Sequence, residues 1–382
     1  MFEKRVPAEV FPPGEFIREE LDARGWTQED LAQIMGRPLR LVNELCNAKK
    51  QITPDTARGL AEAFGTDPLY WMNLDSAYRL SNTAPVDTSV TRRARLYDRF
   101  PVREMVKRGW IEPSQNLDVV EHRVQQFFRI KSIAETPNFA HAAKANSYDE
   151  RTAIQWAWLF RAKQLTEAVD VSAYDETKLR AVLTNLKALL VAAEEIRQVP
   201  AMLAKAGVRF VIVEFLPGAK IDGAAFWLNE NSPAIALSLR FDRIDNFWFV
   251  LRHEIEHILN RDGMADGPMV DIELTEGLRS EASLPPEEVR ANDAAREFLI
   301  PAVEINSFIG RVRPLYSEQR ILLFARRIGV HPGVVVGQLQ YKKEVAYTHF
   351  HKHLVKVREI ITQTTLTDGW QSVPPISGHG GA

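Results

Sequence analysis

The motif HEIEH at His253–His257 constrains the fold more than any other feature of this sequence. On a helix, side chains four residues apart project from one face, so the two imidazoles can bind one zinc ion at about 2.0–2.1 Å. Glu254 lies about 100° around the helix axis from His253, where it can reach a zinc-bound water without binding the zinc. The flanking residues are mostly apolar and predict a buried helix over about 245–260. If the histidines were ordinary core residues, Glu254 would be buried without a partner.

A catalytic zinc site needs a third protein ligand and one open position. Glu288 fits best, because it lies in the first turn of a helix that begins at Pro285-Pro286, a rigid position for a carboxylate. Spacing alone leaves Glu287 equally possible, and Asn292, one turn further on, can orient a ligand. The other downstream candidates are Asp262, Asp266, Asp271, Glu273 and His331.

Three ligands and Glu254 together predict a zinc-dependent endopeptidase with one catalytic zinc ion. The zinc lowers the pKa of its water toward about 7, and Glu254 takes the proton and delivers it to the leaving nitrogen. A second electrophile is expected to stabilise the oxyanion. The sequence does not choose among His331, Tyr316 and Tyr341. We retain His331 as the candidate catalytic residue, although its place before a Pro-Gly pair also suits a helix cap.

The first 80 residues predict a compact domain of five short helices. Thr27 is placed to cap the second helix, with Asp30 three residues later, and Gly36 ends that helix before a third over about 38–47. Two short helices joined by a tight turn describe a helix-turn-helix, whose third helix reads bases. The predicted base contacts are Leu39, Arg40 and Asn43, and the predicted phosphate contacts are Gln28, Lys49 and Lys50.

The rest of the chain predicts an α+β fold that is mostly α. After a helical stretch, three short β-prone runs indicate a small sheet at 208–215, 224–228 and 234–239. The edge of that sheet, most directly Ala234–Leu239, is expected to pair with an extended peptide. We expect a helix-turn-helix domain at 1–80, a helical middle region at 81–200, a metallopeptidase domain at 201–340, and a C-terminal helix with a disordered tail at 341–382.

Composition limits where the protein can be located and which kinds of metal site it can form. The chain of 382 residues has one cysteine, Cys46, which excludes an intrachain disulfide and a Cys-rich zinc site. Its longest strongly apolar runs, such as Phe247–Leu251, are far shorter than the roughly 18–20 residues that span a bilayer. The first ten residues lack the apolar core of a secretory signal. We therefore expect a cytoplasmic protein that does not enter a membrane.

The overall charge gives no case for nucleic acid, because 48 basic and 50 acidic residues sum to −2. The segment 91–108 is different, with seven basic and two acidic side chains. Such a segment predicts either a solvated helical face or a surface that faces phosphate or a protein partner.

Residues 12–80 resemble the HigA-type antitoxins of the XRE helix-turn-helix group. In that family a serine usually caps the third helix and a glycine usually ends it, whereas this chain has Pro38 and Ala48 there. The matching runs are Pro13-Gly14-Glu15, Arg18–Leu21, Thr27–Ala32, Ile52–Pro54, Leu60–Thr66 and Trp71–Leu74.

Residues 200–340 resemble the ImmA/IrrE metallopeptidases, which implies a zincin-like domain. In that family the third zinc ligand is a glutamate thirteen residues before the proline of a Leu-Leu-Met-Pro-like run, and counting back from Pro301 gives Glu288. Many members have a second glutamate two residues later, where this chain has Arg290. The matching runs are His253–His257, Ala291-Asn292, Phe298–Pro301 and Gly329–Gly337.

The two resemblances together imply a DNA-binding transcriptional regulator whose endopeptidase domain cleaves a repressor or an antitoxin. The setting would be a stress response, a mobile element or a toxin–antitoxin system. The expected partners are a double-stranded DNA operator, bound by a homodimer on a palindrome, and a protein substrate. One alternative is a HigA-like antitoxin or repressor whose metal domain senses a signal without proteolysis. Another is a structural zinc site with four protein ligands and no bound water.

Overall fold

The computed structural model describes residues 10–83, 88–137, 139, 151–264, 267–272 and 284–368. The chain divides into two compact units, Met1–Thr91 and Arg92–Ala382. It is mostly helical with one small sheet, as the sequence predicts. Within the described ranges, no helix has the length and apolar character needed to cross a membrane.

Local capping signals define the helices of the first unit. Thr27 and Asp30 form a reciprocal capping box, in which each side chain accepts a hydrogen bond from the other residue's backbone N–H. Gly25 and Gly65 end their helices in the left-handed region, with φ of 66° and 71°. The helices are α1 (Pro13–Arg24), α2 (Gln28–Ile34), α3 (Leu39–Cys46), α4 (Pro54–Phe64) and α5 (Pro68–Ser81).

The second unit surrounds its sheet with helices. The helices are α6 (Thr88–Arg99), α7 (Val102–Lys107), α8 (Leu117–Phe128), α9 (Ala153–Glu167), α10 (Glu176–Leu189), α11 (Val199–Lys205), α12 (Ile244–Leu259), α13 (Pro286–Leu299), α14 (Ala302–Val312), α15 (Glu318–Ile328), α16 (Pro332–Tyr341) and α17 (Arg358–Ile361), with 3-10 helices at Ala193–Gln198 and His351–His353. The strands are β1 (Arg209–Ile212), β2 (Ile221–Trp227), β3 (Pro233–Leu237), β4 (Met269–Ile272) and β5 (Leu366–Thr367).

The strand order is β4-β2-β3-β1-β5, which corrects the expected position of the 234–239 run. β3 pairs with β2 on one side and with β1 on the other, so it cannot add a peptide strand. All five of its residues are buried, the pattern of an interior strand and not of a half-exposed edge. The edge strand beside β2 is β4.

Alternate residues of the sheet enter two hydrophobic cores, one on each face. Phe210 and Ile212 face a core with α10, α11, α12 and α14–α16, whereas Val211 and Val213 face a core with α6–α9. The region expected as a separate helical middle at 81–200 therefore supplies helices to both faces of the sheet from residue 96 onward.

The basic segment 91–108 binds other parts of its own unit. Arg92 lies 2.6 Å from carboxylate oxygens of both Asp118 and Glu121. The side chain of Arg108 is buried and donates to the backbone carbonyl of Phe215 at 2.5 Å. These two arginines hold helices and the segment after β1 together, whereas Arg93, Arg95, Arg103 and Lys107 are exposed, as a solvated helical face would have them.

Several predictions fall outside the described residues. These are Asp266 and Glu273 as candidate ligands and the disordered tail beyond residue 368. Within 341–368, where a C-terminal helix was expected, the chain has a 3-10 turn, the four-residue α17 and β5. β5 extends the sheet by pairing parallel with β1.

Candidate metal centre and DNA-recognition helices

The two histidines of the HEIEH motif point at one location. The Nε2 atoms of His253 and His257 lie 2.9 Å apart, and both side chains are fully buried on α12. Two neutral imidazoles whose lone pairs converge repel each other unless a proton or a cation lies between them. A proton on one of the two nitrogens, or a cation bound by both, can occupy the space between them.

Two carboxylates approach the same location from different elements. Glu288, in the first turn of α13, has Oε2 at 3.2 Å from Nε2 of His253 and Oε1 at 3.7 Å from Nε2 of His257. Asp271, on the edge strand β4, has Oδ2 at 3.1 Å from Nε2 of His253. One donor atom from each of the four residues lies within 4.8 Å of all the others. We call these four residues, His253, His257, Asp271 and Glu288, the donor cluster.

The donor cluster has the chemistry and spacing of a zinc site. Tetrahedral zinc with ligands at 2.0–2.1 Å separates neighbouring ligand atoms by about 3.3 Å, and the separations above range from 2.9 to 3.7 Å. Among the described residues, none donates a hydrogen bond to the carboxyl oxygens of the fully buried Glu254, and the carboxyl group of Asp271 lies against it. Such a carboxyl group must be protonated or face a polar group beyond the described residues. The residues present thus fit a divalent cation.

The pKa values at the centre indicate a shortage of positive charge. Burial alone would lower the pKa of His253, but the carboxylates of Asp271 and Glu288 outweigh it and raise the pKa to about 9. Burial, followed by the charge of Asp271, raises the pKa of Glu254 well above its usual range and raises that of Glu288 as well. Burial also acts to raise the pKa of Asp271, yet the neighbouring His253 holds it well below the ordinary value. Protons here stand in for a cation, and metal binding would displace them.

An outer layer orients His257. Asp262 lies with Oδ2 at 2.9 Å from Nδ1 of His257 and accepts a hydrogen bond from Arg290 at 2.6 Å. A carboxylate on the outer ring nitrogen fixes the tautomer and makes the other nitrogen a better ligand. Asp262, considered as a ligand from the sequence, therefore lies in an orienting position. Asn292, expected in that role, is buried on α13 one turn after Glu288.

His331 lies away from the donor cluster, contrary to its expected catalytic place. It caps α16, with Nδ1 accepting a hydrogen bond from the backbone N–H of Gly333 at 3.0 Å. Gly333 packs against Ile244 at the start of α12, nine residues before His253, or about 13 Å along the helix. The other two candidates are engaged elsewhere, Tyr316 with Glu344 and Tyr341 with Arg296.

A cavity of about 320 Å³ lies along the first half of α12, the end of α13 and α16, and its lining does not include the donor cluster. Its wall includes Phe249, whose ring centre is 6.4 Å from that of His253. No local sequence pattern indicates this cavity, because its lining comes from segments up to about a hundred residues apart. Besides Phe249 it is lined by Phe241, Asn246, Arg296, Gln338, Tyr341 and Tyr347, among others.

The predicted DNA contacts lie on and beside α2 and α3. Gln28 begins α2, and its side-chain oxygen accepts a hydrogen bond from the amide of Asn43 on α3 at 3.4 Å. Arg40 is the most accessible of the set, with 86% of its side chain exposed and a 2.8 Å contact to Glu44 on its own helix. Leu39 begins α3 and is exposed, and Lys49 and Lys50 follow its end, both exposed.

The two departures from the antitoxin pattern have structural consequences. Pro38 precedes α3 without a side-chain cap. Ala48 has a φ of 52°, in the left-handed region that suits glycine. The helix expected to read bases thus lacks a side-chain cap at its start and is followed by a residue with an unfavourable backbone conformation.

Comparisons with known proteins concern the helix-turn-helix. A family model described as Helix-turn-helix matches residues 17–71. Virulence-associated protein I of Dichelobacter nodosus is 38% identical over 69 residues, which are 18% of this chain and 64% of that protein. The uncharacterized HTH-type transcriptional regulator YddM of Escherichia coli (strain K12) is 32% identical over 82 residues, 21% of this chain and 87% of that protein.

Among solved structures, an addiction module antidote protein of the HigA family from Coxiella burnetii is similar to this chain. The two are 31% identical, and the match covers 20% of this chain and 98% of that one, with a TM-score of 0.18. The family model matches the segment that contains α2, its turn and α3, and the similarity to the E. coli regulator spans most of that protein. The chain belongs to the helix-turn-helix transcriptional regulators.

Proposed function

We propose that this regulator is also a zinc-dependent endopeptidase, which cuts a repressor or antitoxin partner to control transcription. The observation that carries the proposal is Glu254. It is fully buried, its carboxyl oxygens receive no hydrogen bond from the described residues, and it is adjacent in sequence to one of two histidines that converge on one point. A structural metal site has no use for a buried acid in that position.

The proposed roles follow from the positions of the residues. His253, His257 and Glu288 would hold the zinc, and Asp262 would keep the ring of His257 in register. When bound, zinc polarises the scissile carbonyl and makes a bound water acidic near neutral pH. Glu254 takes the proton of the attacking water and then delivers it to the leaving nitrogen, as the new C–O bond replaces the C–N bond.

The cavity beside Phe249 supplies room for one side chain of the protein substrate. Phe249 lines the cavity and lies near the ring of His253, and Phe241, Tyr341 and Tyr347 also line it. An apolar side chain that enters the cavity gains about 25 cal/mol per Å² of buried apolar surface.

The DNA-binding unit would direct this activity to an operator. Arg40 can read guanine and Asn43 adenine in the major groove, while Gln28, Lys49 and Lys50 contact phosphates. We propose a homodimer on a palindromic site, since helix-turn-helix modules commonly bind half-sites one helical turn apart.

The test compares new protein N-termini in cells that produce the wild type or the variant Glu254→Gln. The substitution keeps the shape of the side chain and the donor cluster and removes the base. We expect one DNA-binding protein to be cut in the wild type alone. Identical cleavage profiles under several stresses would reject the peptidase. The sensing alternative would then be examined through loss of regulation on Arg40→Ala with none on Glu254→Gln.

A further inference from the structure

A fourth protein donor at the centre is one more than a peptidase requires. A catalytic zinc site has three protein ligands and an open position for water or substrate, whereas four protein ligands close the site. Asp271 supplies that fourth donor, and only 3% of its surface is exposed to solvent.

Sheet pairing aims Asp271 at the centre. Asp271 on β4 is the register partner of Gly223 on β2, so their side-chain positions share one face of the sheet. That face is the one toward α12, because a Cβ at Gly223 would collide with the carboxyl group of Glu254 and come within 2.7 Å of Val250. Asp271 therefore projects between the sheet and the HEIEH helix, beside both Glu254 and His253.

A hydrogen bond to His253 does not account for this arrangement. Nε2 of His253 lies 2.9 Å from His257, 3.1 Å from Asp271 and 3.2 Å from Glu288. An imidazole nitrogen has one proton to donate, which cannot satisfy three neighbours at once. A divalent cation at the common point satisfies all four donors together.

We propose that Asp271 is a fourth metal ligand, which closes the centre in the resting protein. Two imidazoles and two carboxylates then fill the tetrahedral positions, and no water is coordinated. One part of this proposal rests on the proposed function. If the protein is a peptidase, it is inactive until water or a substrate carbonyl replaces Asp271 at the metal.

The test uses the full chain loaded with Co²⁺ in place of zinc, with azide as an external ligand. Visible absorption of Co²⁺ reports the number and type of its ligands. We expect the wild-type spectrum to be unaffected by azide, and the spectrum of Asp271→Ala to shift as azide enters the vacated position. In competition with a chelator, Asp271→Ala should also bind zinc at least about 10-fold more weakly than the wild type.

Asp262→Ala is the matched control, because it removes a carboxylate that contacts the outer nitrogen of His257. It should weaken zinc binding but leave the Co²⁺ spectrum insensitive to azide. If Asp271→Ala does not fold, as judged by circular dichroism, Asp271→Asn keeps the shape and offers a weaker ligand. An equal azide response in the wild type and the Asp271 variant would overturn the proposal.

The two proposals fail separately. Absorption and affinity report the ligands whether or not a peptide bond is cut. If the azide test succeeds and no substrate is cleaved even by Asp271→Ala, the closed centre stands and the peptidase is rejected. If wild-type cobalt already binds azide, the peptidase proposal stands with three ligands and no latency.

Discussion

The carboxylate of Asp262 lies 2.9 Å from Nδ1 of His257, on the side of the ring that faces away from His253. Because this contact sets the tautomer and orientation of His257, we predict that Asp262→Ala lowers zinc affinity by about 10–100-fold. Chelator competition measures the change. Asp293→Ala is the control, since Asp293 is an exposed carboxylate on α13 that pairs only with Arg296 among the described residues. Equal affinities for the two variants would contradict the orienting role.

The metal-free protein should lose stability as pH rises. His253 has a folded-state pKa of about 9 and an ordinary value of 6.5, so its contribution is fully present below pH 6.5 and is lost as pH rises through 9. A shift of this size corresponds to about 3 kcal/mol. The raised pKa values of Glu254 and Glu288 act in the same direction.

Zinc should remove this pH dependence, because it replaces the protons that hold the donor cluster together. We therefore expect the difference in Tm between zinc-loaded and metal-free protein to grow from pH 6 to pH 9. Thermal unfolding with and without a chelator measures it. A metal-free Tm that stays flat or rises over this range would show that protons do not hold the metal-free centre.

Gly223 should tolerate no side chain. A Cβ there would collide with the carboxyl group of Glu254 and press on Val250, so we predict that Gly223→Ala costs about 1–3 kcal/mol of unfolding free energy. Urea unfolding of the zinc-loaded protein measures the cost. Gly310→Ala is the control, because Gly310 lies in α14 with open space around it, and alanine should stabilise that helix by about 0.5–1 kcal/mol. A neutral Gly223→Ala would mean that Glu254 moves freely.

Arg40→Ala should weaken specific DNA binding by about 1–3 kcal/mol and relax the preference at one base pair. The side chain is 86% exposed and pairs with Glu44 on its own helix, so it can reach a base edge once that surface pair opens. Binding to a selected operator and to its single-base variants measures both effects. Arg58→Ala on α4 provides a control, with another exposed arginine paired to a neighbouring carboxylate. If the two variants lose equal operator affinity, Arg40 contributes only non-specific electrostatic attraction to DNA.

Ala48→Gly should stabilise the first unit by about 1 kcal/mol, because a left-handed residue with a Cβ costs about 1–2 kcal/mol. The thermal transition of the first unit measures the gain. Ala63→Gly, in the last turn of α4, should instead destabilise the unit, because glycine loses more backbone freedom on folding than alanine. If both substitutions destabilise the unit, the conformation of Ala48 carries no strain.

Local sequence signals predicted the helix α2 of the helix-turn-helix and the helix α12 that carries the HEIEH motif. The capping pair Thr27 and Asp30 predicted the start of α2, and the apolar residues around HEIEH predicted the buried α12. Both depend on residues within one or two helical turns of each other. The structure also brings Glu288 to the two histidines, where its role as a zinc ligand stays a prediction.

Local sequence patterns could not predict which strands pair when the strands lie far apart in the sequence. Asp271 was one candidate among several, because its four-residue strand is defined by pairing with β2, which lies almost fifty residues earlier. The interior place of β3 depends equally on strands far away in the sequence. His331 and the basic segment at 91–108 were ambiguous because a cap, a buried ion pair and a ligand contact use the same residue types.

The separation of the hydrophobic cores determines which unit a destabilising substitution affects. The core of the first unit is drawn from residues 17–71 and the cores of the second from residues 96–361, so no described buried side chain belongs to both. A substitution that empties one core removes apolar burial from that unit alone. A single substitution can therefore unfold the DNA-binding unit and leave the donor cluster intact, or do the reverse, and each form would give a distinct phenotype.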